Sequence, residues 1–220
     1  MSIALTLLPL VGAGEAPEPP PDPPAEVTWD AAVSSASLTI YDGGYSVQAT
    51  GGSWYSATTE TDPSTDKFYC EFVVNDSAHS GGSDSALTIG YAPPSTDLTS
   101  GSTFLGNATD TGAYIAGDTV REQGESDTSF GVTFSSGDIV GMAIDRTTGE
   151  GWIAVNGTWV NSGDPAAGTG PVFVVVPASA RVAISARVRN SNTGDVTLRT
   201  KNSEFSYSVP SGFTGYAEPV

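Results

Sequence analysis

The sequence predicts an all-β fold, an antiparallel β-sandwich preceded by an extended N-terminal arm, and three observations predict it. Ser, Thr and Gly abound, whereas charged residues make up only 15% of the chain and long charged helix formers are scarce. Short apolar runs recur between turn formers, with no helical period of useful length and no tandem repeat. Finally, residues 137–157 read as a β-meander. A Gly137-Asp138 turn launches Ile139–Ile144, Asp145 to Gly149 reverses the chain, and Trp152–Val155 ends at Asn156-Gly157. Both of those last residues tolerate positive φ, which makes the pair a strong two-residue hairpin signal.

Residues 1–24 form the arm. Ile3, Leu5, Leu7, Leu8, Leu10 and Val11 make an apolar tip that is too short for a membrane span of about 20 residues and is interrupted by Pro9. Met1-Ser2 lacks the basic start of a secretion signal, although Ala13 and Gly14 could mimic a cleavage site. Glu15 to Pro24 is rich in proline, which lacks the amide proton and fixes φ, so it is expected to be an extended acidic spacer. An apolar plug on a stiff stalk reads as a tether, with the tip ordered against a partner.

Residues 25–220 are expected to form the sandwich. Strands are expected at 37–41 and 45–49, joined by Asp42-Gly43-Gly44, and then at 68–74, 86–91 and 114–116. The two strands of the meander come next, at 139–144 and 152–155, followed by 172–176, 181–188, 196–199 and 205–208. Gly81 to Asp84 and Thr96 to Ser102 are polar loops between them. A chain of 220 residues buries roughly 70% of its unfolded surface, so it needs neither disulfide nor metal to fold. Cys70 is the one cysteine.

Charge narrows the partners. Eight Lys and Arg stand against 25 Asp and Glu, a net −17, and no basic residue precedes Lys67. Phosphate contacts need Lys and Arg, so neither nucleic acid nor an anionic membrane is an expected partner. His79 is the only histidine and lies in a loop, and no nucleophile elbow, phosphate-binding loop or dinucleotide fingerprint occurs. No cofactor and no metal is expected. The acidic loops at Asp76, Asp84, Asp110 and Asp118 lack the alternate-ligand spacing of an EF-hand. Asp138 and Asp145 are the tempting acid pair, but both sit at turns, where Asp side chains bond nearby amides, and they read as structural.

Several segments resemble the SPRY (B30.2-like) family, whose fold is a concanavalin-like jelly-roll sandwich. Gly137 to Asp145 with Asn156-Gly157 looks like its central hairpin. Lys67-Phe68-Tyr69-Cys70-Glu71-Phe72 looks like its G-K-x-Y-W-E-V strand, with Asp66 and Cys70 as departures, and Leu87 to Tyr91 looks like a later strand. Gly112-Ala113-Tyr114 and Ser129 to Phe134 look like the lead into the Gly-Asp turn, and Phe205 to Phe213 looks like the tail. Val27-Thr28-Trp29-Asp30 and Trp159 to Gly170 are similar to SPRY-type domains of tailed-bacteriophage and related particle proteins.

The resemblance implies binding rather than catalysis. If Gly151, Ile153 and Val155 face inward, Trp152 and Ala154 share the other face. Trp152 is then either a platform for a sugar ring or partner side chain, or a ring covered by a loop or the arm. Tyr91 and Tyr114 are further candidate ligand contacts. The expected function is that of a spike, fibre or decoration subunit on a phage or phage-like particle. Its arm would bind other particle proteins, and its sandwich would bind a glycan or protein on the host surface. Homo-oligomerisation is expected because symmetry multiplies weak sites. An intracellular adaptor that captures a peptide is the alternative, and a particle-borne polysaccharide-degrading enzyme is the third reading.

Overall fold

Each backbone amide removed from water needs a partner, and in a chain of short turn-bounded runs that partner is the next strand. A computed structural model describes residues 26–77, 85–99 and 104–218. The arm, with all six apolar tip residues, and the loop carrying His79 lie outside the described residues.

Sixteen strands are described. They are β1 (Leu38–Tyr41), β2 (Ser46–Ala49), β3 (Tyr55–Thr58), β4 (Lys67–Asp76), β5 (Leu87–Ala92), β6 (Gly112–Ile115), β7 (Thr119–Glu122) and β8 (Thr128–Ser129). Then come β9 (Ile139–Asp145), β10 (Glu150–Val155), β11 (Thr158–Trp159), β12 (Arg181–Ala186), β13 (Val188–Arg189), β14 (Asn192–Thr193), β15 (Asp195–Arg199) and β16 (Thr214–Gly215). One sheet runs β1-β2-β15-β4-β9-β10-β11, with β16 also paired to β4. The other runs β3-β12-β5-β6-β7-β8. The two sheets are antiparallel apart from the parallel β16–β4 pair.

Alternation along the strands builds the core between the sheets. Phe68, Cys70, Phe72 and Val74 of β4 and Val140, Met142 and Ile144 of β9 meet Ile89 and Tyr91 of β5 and Val182 and Ile184 of β12. Cys70 is fully buried, its thiol 3.9 Å from the Met142 carbonyl, and burial pushes its pKa up.

Loops cover parts of both outer faces. Leu98 and Leu105 pack on Ala113 and Ala183 outside the six-stranded sheet. Phe213, Phe205, Val209 and Trp159 pack on Tyr69, Ala143 and Trp152 outside the eight-stranded sheet. The two-residue turn is as expected: Val155 pairs with Thr158, and Asn156 and Gly157 take φ of 49° and 76°. Asp138 and Asp145 are turn residues. Asp138 accepts from the Ser135 amide and from Asn156, and Asp145 from the amide and hydroxyl of Thr147.

Two expected strands are absent as ladders. Segment 172–176 makes one isolated bridge, Gly151 to Phe173, and segment 205–208 makes none. In both, a glutamate takes two of the amides that a neighbouring strand would have taken, while the amides of Val172, Phe173 and Val176 reach the Gly151 and Gly149 carbonyls. The buried Glu71 accepts from Ser206 and Tyr207 at 2.7 and 2.8 Å. Glu122 does the same for Val174 and Val175.

Candidate functional site

The run Val172 to Val176 does not alternate faces as a regular strand does. Val172, Phe173 and Val176 go inward. Phe173 meets the Tyr91 ring edge-on at 5.3 Å. Val174 and Val175 are left 61% and 43% exposed. Among the described residues the only other exposed large apolar side chain is Tyr41.

The two valines form one wall of a groove of about 490 Å³. Its other walls come from Val120 and Glu122 of β7, Thr128 of β8, Phe130 and Pro171. Tyr91 and Glu122 both pair with Gly112, one on each side. A Cβ at Gly112 would lie 2.4 Å from the Tyr91 ring, so only glycine lets that ring cross β6. The Tyr91 hydroxyl then donates to Glu122 at 2.7 Å. Glu122 in turn accepts from the Val174 amide at 3.0 Å and the Val175 amide at 3.4 Å. Burial, and then the Glu122 carboxylate, raise the Tyr91 pKa, so the phenol remains a donor at neutral pH. The hairpin of β7 and β8 carries Glu122, Glu125 and Asp127 against the single base Arg121, which pairs with Asp127 at 2.6 Å.

The aromatic residues singled out from the sequence fall elsewhere. Trp152 is 1% exposed. Phe213 packs against it and its indole donates to the Thr169 carbonyl, so a loop covers it and no ring face meets solvent. Tyr114 is buried, stacked on Phe134, with its hydroxyl on the Val132 carbonyl. Tyr91 is buried too, and it acts by positioning Glu122. These three rings offer no surface to a ligand, and the structure brings only Tyr91 to the groove. The groove residues Val174, Val175 and Phe130 were missed, although the unalternating Val172 to Val176 run was a signal for the first two. Among the described residues no group of three His, Cys, Asp or Glu side chains could hold a metal ion.

No protein-family model and no curated protein matches the sequence. Solved structures do match. A human SPRY domain superposes with a TM-score of 0.54 at 19% identity, covering 74% of this chain and 94% of that one. The SPRY domain of human HERC1 gives 0.55 at 12% identity, covering 78% and 96%. The TRIM65 PSpry domain gives 0.53 at 13%, covering 79% and 89%. The chain therefore has the SPRY fold.

Proposed function

We propose that this chain is a non-catalytic recognition module whose groove beside β7 captures a protein partner. The observation that carries the reading is the pair Val174 and Val175, held outward by Glu122 where, among the described residues, Tyr41 is the only other exposed large apolar side chain. Exposed apolar side chains lining a concave site favour a partner that brings apolar side chains of its own. The acidic β7–β8 hairpin and the net −17 favour a partner with neutral or basic flanks over an acidic one.

In its finer form, the module is a surface subunit of a phage or phage-like particle. It is attached to other particle proteins by its N-terminal arm, repeated by symmetry, and directed at a host-surface ligand. The motif resemblance of Val27 to Asp30 and of Trp159 to Gly170 supports this reading, as does the apolar tip on its proline-rich stalk.

Paired substitutions test the groove. Val174→Ser with Val175→Ser should abolish capture of host-surface protein in a cell-binding assay while the urea midpoint stays put. Undiminished capture by the double variant would retire the groove. Electron microscopy of particles lacking the gene tests the finer reading: an unchanged outline with unchanged host adsorption would overturn it.

A further inference from the structure

The third exposed large apolar side chain among the described residues, Tyr41, lies on the other sheet, and its surroundings are polar. On β2 the inward residue is Val47, so Ser46 and Gln48 face out. On β15 Val196 and Leu198 face in, so Asp195 and Thr197 face out. Asn75 of β4 shares that outer face. The C-terminal segment covers the sheet at Tyr69, Ala143 and Trp152, but the face over β1, β2 and β15 leaves Tyr41 39% exposed.

The Tyr41 side chain reaches across the sheet. Tyr41 pairs with Ser46, whereas Asp195 pairs with Gln48, one row along and one strand further. Strands lie about 4.8 Å apart, so the two residues are roughly 10 Å apart across the sheet alone. The Tyr41 hydroxyl nevertheless donates to Asp195 at 2.7 Å. The phenol therefore extends across β2 toward β15, while part of the side chain remains open to solvent.

The polar groups around it are fixed in advance. Asp195 also accepts from Gln48 at 3.2 Å and from Asn75 at 3.0 Å. Asn75 donates to Thr197 at 2.9 Å, and Thr197 shares a 2.7 Å bond with Ser46. The Gln48 and Asn75 side-chain carbonyls accept no hydrogen bond from any described residue. A shallow depression of about 350 Å³ begins at Thr197 and is lined by Asp42, Tyr45, Leu198, Arg199 and Glu204.

We propose that this outer face is a saccharide platform for a neutral oligosaccharide. The C–H face of one pyranose ring stacks on Tyr41, its hydroxyls donate to the free carbonyls of Gln48 and Asn75, and a second ring occupies the depression. Stacking on an aromatic face is the usual gain from a flat exposed ring. Prior fixing of the polar groups lowers the ordering cost of binding. The platform and its depression carry Asp195, Asp42 and Glu204 against the single base Arg199, and the chain is strongly acidic, so sialylated and uronic acid glycans are disfavoured. The site does not rest on the groove reading, since the two share no residue.

The test titrates ¹⁵N-labelled protein with cellotriose, maltotriose, mannotriose and lactose, and with a sialylated lactose as the anionic probe. At least one neutral sugar should shift the Gln48 and Asn75 side-chain amides. Tyr41→Ala should weaken that binding by about fivefold to tenfold while the dispersed amide spectrum of the folded chain is retained. Val174→Ser with Val175→Ser should leave sugar binding intact, which separates this site from the groove. The proposal is overturned if none of the four neutral sugars shifts those amides, if the anionic sugar binds better, or if Tyr41→Ala binds as the parent does.

Discussion

Glu71 is buried in the middle of β4 and satisfies three donors at once: the amides of Ser206 and Tyr207 and the Tyr69 hydroxyl at 3.1 Å. Arg199 lies 3.6 Å away as its counter-charge. A charged acceptor is retained there because neutral amides alone would leave the segment over Tyr69 without partners. Glu71→Gln turns one acceptor oxygen into a donor that faces donors. It should cost about 1–3 kcal/mol, read as a lower urea midpoint. Asp145 makes a second prediction at this scale. Burial pushes its carboxyl up, but the bonds from Lys67 at 2.7 Å and from Thr147 outweigh that and hold its pKa below the usual value. A carboxyl with a lowered folded pKa stabilises fully above its unfolded pKa of about 3.9. That stabilisation disappears as pH falls through the folded value. The stability gap between the parent and Asp145→Asn should therefore be constant from pH 7 to 5 and shrink below about pH 4. A gap that does not change with pH would show that Asp145 acts through shape alone.

Among the elements, what could be read from the sequence depended on where the hydrogen bonds go. The strands 38–41, 46–49, 67–76, 87–92, 139–145, 150–155 and 181–186 follow alternation and turn residues closely, because both signals are local. The expected strands at 172–176 and 205–208 have high β-propensity, yet the amides of Val174, Val175, Ser206 and Tyr207 end on Glu122 and Glu71, and a side-chain partner distant in sequence leaves no local trace. The short β3, β7 and β16 were missed for the same reason: their pairing is set by the sheet they join. The Asn156-Gly157 turn was legible because φ of 76° at Gly157 is a local demand. Tertiary structure adds a second demand there, since a Cβ would sit 2.4 Å from the Tyr207 ring. Gly157→Ala should therefore destabilise by more than about 1 kcal/mol, and a melting temperature within error of the parent's would refute the turn argument.

Across the whole molecule, the sandwich hides its apolar mass twice over, first between the sheets and then beneath loops that roof parts of both outer faces. That second layer decides between the two readings left for Trp152, in favour of a ring covered by a loop. A period-two pattern says which face a residue takes but not whether the face is roofed. The groove was illegible for the converse reason, because its walls come from β7, β8 and a non-strand segment that sequence order keeps apart. Stability and recognition should separate at this scale. Val174→Ser with Val175→Ser removes side chains already in water and should shift unfolding by no more than about 0.5 kcal/mol, whereas substitutions among the roofing residues Phe205 and Phe213 should cost several times that.

Cys70 sits at the centre of this double shell, with its sulfur among side chains from both sheets. Maleimides and Ellman's reagent can reach it only when the sheets part, so its labelling rate is a clock for global opening rather than for local breathing. The same seclusion leaves the exterior chemically blank. One cysteine introduced on the rim of the groove, or beside Tyr41, would be the sole handle for a fluorophore, and each surface could be followed separately in an otherwise unmodified chain.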